Sequence, residues 1–111
     1  MTKEIDVNGK KITLTSNGLT PIVFKMLFKK DIIKQITGSD DGITVATDNA
    51  PELGFVMNMQ ALGVDPMKLT MAQFYEWLTQ FEPLDLTVSA MDIINVYLSD
   101  SVPDEEPKKK A

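Results

Sequence analysis

The chain has 111 residues and a net charge of −5, and it contains no His, no Cys and no Arg. Those absences exclude disulfides, thiolate metal sites and the common Cys–His and Ser–His nucleophile pairs, and they remove the guanidinium forks that read bases and phosphates. A single domain fits the length, and no apolar run approaches the roughly 18 to 20 residues that span a bilayer. The opening MTKEIDVNGKK lacks the apolar stretch of a signal peptide, so a cytoplasmic chain with no membrane or nucleic-acid partner is expected.

Charge is distributed unevenly. Residues 1–34 carry seven Lys against three carboxylates, whereas residues 35–102 carry Lys68 alone against ten. The basic third and the acidic remainder could meet head to tail between subunits, or neutralise each other across one domain. Self-association is therefore one of the contacts to be considered.

In chain order, EIDVNGKKITLT places Ile5 and Val7, then Ile12 and Leu14, around Asn8-Gly9, a dipeptide suited to a two-residue type I′ turn. This predicts a β-hairpin over 1–15. Leu19-Thr20-Pro21 then reads as a helix start, with Thr20 as cap, Pro21 in the first turn and Leu19 stapled to Phe24. The helix is expected to run to about Gly38, with Phe24, Leu27, Phe28, Ile32 and Ile36 inward and Lys25, Lys29, Lys30 and Lys34 in solvent.

A loop around Asp40-Asp41-Gly42 follows, and Ile43–Thr47 is rich enough in β-branched residues for a third short strand. Asn49 and Glu52 resemble a capping pair for a second helix, which should end at Gly63 and lie centrally because apolar residues nearly encircle it. Thr70 and Gln73 form a capping box for a third helix, with a stripe of Met71, Phe74, Trp77, Leu78 and Phe81, ended by Glu82-Pro83. A fourth helix near 87–99 offers Val88, Met91, Ile94 and Leu98 on one face, with Ile93 and Tyr97 beside it. The tail 103–111 cannot bury apolar surface and is expected to be disordered. The predicted fold is mainly α: an N-terminal β-hairpin packed on a bundle of about four short helices, with a globular domain over 1–102.

Few constellations carry chemistry. Asp40 and Asp41 are explained by their turn, and residues 37–48 match a calcium loop poorly, with Thr at the first position and no bidentate Glu at the last. An enzyme built on carboxylates alone would need a deep pocket around Asp40, Asp41 or Asp85. No catalytic residue, metal ligand or cofactor site is expected. Seven Met serve either as core filling or as the adaptable surface of a binding protein. Tyr75, Trp77, Phe81 and Tyr97 are the candidate partner-binding residues, because Tyr75 lies off the main stripe and aromatic anchors dominate interfaces.

Beyond these readings, LFKKDIIK (27–34), EWLTQF (76–81) and the terminal KKK (108–110), set within the order hairpin, Lys-rich helix, acidic loop, PELGFVMNMQALGVD helix and closing helix, resemble the tail assembly chaperones of long-tailed bacteriophages infecting Gram-positive bacteria. The resemblance covers nearly the whole chain, although members often carry Arg in the first helix, where this chain has only Lys. It implies a non-enzymatic protein of the host cell cytoplasm, absent from the mature virion, that keeps the tape-measure protein soluble and helps recruit tail-tube protein subunits. It also implies a longer frameshifted product, for which Lys108, Lys109 and Lys110 would be encoded by slippery codons. The alternative is a structural head–tail connector or tail-completion protein retained in the particle.

Overall fold

The computed structural model describes residues 1–38, 44 and 47–99, with the backbone alone for 35–37 and 99. Strands β1 (Thr2–Val7) and β2 (Lys10–Thr15) form the two-stranded antiparallel sheet found among these residues. Asn8 and Gly9 both take positive φ, 53° and 87°, as the type I′ turn demands. The Asp6 carboxylate accepts the Gly9 N–H at 2.6 Å, and this bond holds its pKa below the ordinary value. Pairing Val7 with Lys10 and Ile5 with Ile12 puts Ile5, Val7, Ile12 and Leu14 on one buried face.

Helix α1 spans Thr20–Phe28, but its start differs from the expectation. Leu19 is the cap residue, already helical in backbone, and Thr20 sits inside the first turn. The upstream Asn17 takes the capping role: its Oδ1 accepts the Leu19 N–H at 2.9 Å. Thr20, fully buried, instead donates its hydroxyl to Gln60 at 2.7 Å, and Leu19 is exposed rather than stapled over the helix.

The single helix expected to Gly38 is two. Lys29 adopts a left-handed conformation with φ 61° and closes α1 through its N–H to the Lys25 carbonyl. Asp31 then caps α2 (Ile32–Thr37), its side chain accepting the Lys34 N–H at 2.9 Å. Between them, Lys30 is not a solvated cation. Its Nζ lies 2.7 Å from Asn49 Oδ1 and 2.8 Å from Glu52 Oε1, and 5.7 Å above the Phe24 ring. Asn49 and Glu52 therefore converge on Lys30, and Asn49 makes no side-chain cap to the helix it precedes.

That helix, α3 (Ala50–Ala61), is central as expected: Leu53 through Asn58 are all buried, and it packs on β2, α1 and the later helices. Gly54 explains how closely they approach. A Cβ there would sit 3.3 Å from Ile93 Cδ1 and 3.4 Å from Trp77 Cη2, so the absent side chain admits both neighbours. Gly63, at φ 75°, ends the helix, with Gly63 N–H bonded to the Gln60 carbonyl and Val64 N–H to that of Met59. This double return is the Schellman arrangement.

A short 3-10 helix, Pro66–Lys68, leads to α4 (Met71–Leu78), where both halves of the Thr70/Gln73 capping box are made, at 3.2 and 2.8 Å. Helix α4 ends before Phe81 in a tightened turn, where the Thr79 and Gln80 backbone N–H groups and side chains all donate to the Glu76 and Trp77 carbonyls. The last predicted helix is also divided, into α5 (Asp85–Val88) and α6 (Ala90–Ser99), with buried Ser89 at the break. Its inward face is Ala90, Ile93, Ile94 and Tyr97, not Val88 and Met91, which are 81% and 44% exposed. Helix α6 packs against α3 and both strands, and those three elements set its rotation.

The hairpin and the helices share one hydrophobic core. The segment proposed as a third strand lies mostly outside the described residues, and its two described members, Thr44 and Thr47, are helical. The Asp40-Asp41 turn, most of the calcium-like loop and the tail with Lys108, Lys109 and Lys110 also lie outside them.

Candidate interaction surface

The four aromatic candidates separate sharply. Trp77 is only 7% exposed, donating its indole N–H to Asn58 Oδ1 at 2.9 Å, while Asn58 donates in turn to the Thr13 carbonyl at 2.8 Å. Phe81 is half-buried, edge-on to Trp77 with centroids 4.9 Å apart. Tyr97 is buried, and that burial, with the negative charge of Asp31, raises its phenol pKa. Tyr75 alone of the four is open to solvent, at 60% exposure, its ring 5.7 Å from that of Phe74.

The reason is a continuous aromatic ladder. Phe24, Phe28, Phe74, Phe55, Trp77 and Phe81 meet in sequence with centroid separations of 4.9 to 5.6 Å, tying α1, α3 and α4 together. Edge-on and tilted geometries of this kind add attraction beyond the burial of area. The aromatic set is thus committed to the core, Tyr75 excepted.

Two aliphatic surfaces, which the sequence reading did not single out, are exposed instead. On α1, Leu19, Ile22 and Met26 lie at helical spacing on the outward face. Met26 shares a shallow groove with Val23, Leu27, Pro66, Met67 and Leu69, and Met67 is 77% exposed. Lys25 and Lys68, on the same elements, are exposed, as is Asp65, whose carboxylate accepts the Met67 N–H at 2.9 Å beside the groove. The sequence signal was present: Ile22, Val23, Phe24, Met26, Leu27 and Phe28 are too many apolar residues for one inward stripe.

The second surface comprises Leu84, Val88 and Met91 on α5 and its flanks. It adjoins a groove of about 440 Å³ lined by Asp48, Pro51, Leu86, Thr87, Ala90 and Met91, among others. The exposed carboxylate of Asp48 lines it, whereas Asp92 lines a separate groove with Lys3, Glu4, Ile5, Asp6 and Asn95. Asp85 is engaged locally, accepting the Glu82 N–H at 2.8 Å.

Among the described residues no three carboxylates converge as a metal site would require, and no helix is long and apolar enough to cross a membrane. Comparisons with protein-family models, with curated proteins and with solved structures find no match to this chain.

Proposed function

We propose that the chain is a non-enzymatic tail assembly chaperone that holds an apolar helical stretch of a phage tape-measure protein, working in the host cytoplasm and leaving before the virion is complete. The observation that carries this reading is the exposed Ile22–Met26–Met67 surface. Methionine and branched aliphatic side chains beside a shallow groove suit the apolar face of an amphipathic helix, and methionine repacks to accept varied sequences. Exposed apolar clusters of this kind mark interaction sites on soluble domains. The resemblance of LFKKDIIK and EWLTQF to that family supplies the identity of the partner, and recruitment of tail-tube subunits belongs to the same proposal.

Co-expression with the tape-measure protein of the same phage tests it. The chain is expected to raise the soluble yield of that protein and to co-purify with it, and the pair M26E/M67E is expected to abolish both while Tyr75→Ala weakens them. Absence of rescue by the unaltered chain would overturn the proposal, and its recovery from purified virions would point to a connector instead.

A further inference from the structure

The hairpin register decides which backbone groups of the sheet are left over. Ser16 N–H bonds to the Met1 carbonyl at 2.7 Å, and Val7 pairs with Lys10 across the two-residue turn. In an antiparallel pair only every second residue exchanges bonds with its opposite, so Lys3, Ile5 and Val7 bond to β2 while the N–H and C=O groups of Thr2, Glu4 and Asp6 point outward. On β2 the outward residues are Lys11, Thr13 and Thr15, and α3 reaches that edge, Asn58 donating to the Thr13 carbonyl at 2.8 Å. Among the described residues nothing bonds the outward backbone groups of Glu4 and Asp6, both exposed, so β1 is an open sheet edge.

A groove of about 210 Å³ lies beside this edge, lined by Lys3, Glu4, Ile5 and Asp6 of β1 and by Asp92 and Asn95, a turn apart on α6. Helix α6 packs against β1 from the side that carries buried Ile5 and Val7, so its exposed Asp92 and Asn95 form a floor next to the strand. Glu4, Asp6 and Asp92 stand against Lys3 in this groove, and Lys11 reaches Asp6 from β2 at 3.4 Å. Unpaired backbone donors and acceptors thus run along a trough with an acidic surround.

We infer that the outer edge of β1 takes up an extended segment of another protein, bearing lysine or arginine, as a third strand. The backbone groups of Glu4 and Asp6 supply the main-chain bonds of such strand addition, and the side chains around them select the segment. An added strand turns alternate side chains to its two faces, so its basic residues meet Glu4 on the solvent face and Asp92, with Asn95, on the face toward α6. Opposite charges on neighbouring strands attract, and like charges directly opposite repel. A second copy of β1 fits poorly for that reason, since antiparallel pairing centred on Glu4 would set that carboxylate against its own counterpart. The inference stands apart from the tape-measure proposal, whose surface lies on α1 and the 3-10 helix.

The test is amide hydrogen exchange of the full chain, read residue by residue by NMR, with and without a short blocked peptide alternating lysine and threonine. In the free chain the Glu4 and Asp6 amides should exchange freely while those of Ile5 and Val7 are protected by β2. Saturating peptide should slow exchange at Glu4 and Asp6 at least about tenfold and leave Ile5 unchanged. The same peptide methylated at every amide nitrogen keeps its charge but loses its donors, and should bind at least about tenfold more weakly. Glu4→Lys and Asp92→Lys, both at exposed positions, should each weaken binding about two- to fivefold. Unchanged exchange at Glu4 and Asp6 with peptide present, or equal binding of the methylated peptide, would overturn strand addition. Equal binding by both lysine variants would overturn the choice of a basic segment. Protection of the two amides before any peptide is added would assign the edge to this chain itself and overturn a separate partner.

Discussion

Asn58→Ala should be among the most damaging single substitutions in this fold that leave the hydrophobic residues intact. The side chain is buried on α3 and bridges two elements distant in sequence, donating to the Thr13 carbonyl of β2 and accepting from the Trp77 indole of α4. Alanine removes both bonds but not both costs equally. The Trp77 N–H, buried beneath α4, would be left without a partner, at about 1–3 kcal/mol. The Thr13 carbonyl is half-buried, recovers water, and costs about 0.5–1.5 kcal/mol. Together these give a loss of about 1.5–4.5 kcal/mol, a large part of the 5–15 kcal/mol typical of a domain. Urea unfolding followed by the fluorescence of Trp77, the one tryptophan in the chain, and by circular dichroism should show a lower midpoint with an unchanged slope. A double-mutant cycle with Trp77→Phe should give a coupling of about 1 kcal/mol or more. A loss under about 0.5 kcal/mol for Asn58→Ala, or additivity in the cycle, would refute the bridging role.

Two further substitutions probe charge. Lys30→Met should cost about 1–2 kcal/mol, because it strips Asn49 and Glu52 of a charged donor at a site still partly open to water, whereas Lys25→Met should stay within about 0.5 kcal/mol; thermal denaturation of the pair separates them. For Tyr97, burial raises the phenol pKa above its ordinary value, with the Asp31 charge adding to it. The folded state therefore favours the neutral phenol. That contribution is complete below about pH 10, the value for an unfolded chain, and is lost as pH rises through the folded value. Tyr97→Phe should accordingly lose less stability than the unaltered chain between neutral and strongly alkaline pH, measured as the shift in urea midpoint; equal losses would sink the assignment.

The features legible in the sequence are those decided within a few residues. Asn8-Gly9 sets the hairpin because its two residues tolerate positive φ, Thr70 and Gln73 satisfy each other's backbone donors, and Gly63 supplies the left-handed residue that stops α3. Each is a matter of local backbone geometry, so no distant residue could alter it. Where distant partners enter, local signals mislead. Asn49 and Glu52 have the spacing of a helix cap, yet Lys30, 19 and 22 residues upstream, takes both side chains. The periodicity of 21–38 reads as one helix, but the left-handed Lys29 and the Asp31 cap split it, sending Lys30 inward.

The same division holds for the candidate surface. Sequence alone determined that the chain is helical behind a hairpin, rich in Met, polarised in charge and without His, Cys or Arg. Tertiary packing decided which apolar residues remain outside. Helix α3 can be surrounded only if α1, α4 and α6 each turn a stripe toward it, and the aromatic ladder takes Trp77 and Phe81 into that shared core while α6 turns Tyr97 inward. Ile22, Met26, Met67, Val88 and Met91 are what those rotations leave uncovered. Hydrophobicity is a property of a residue, but exposure depends on the phase of its helix against neighbours tens of residues away.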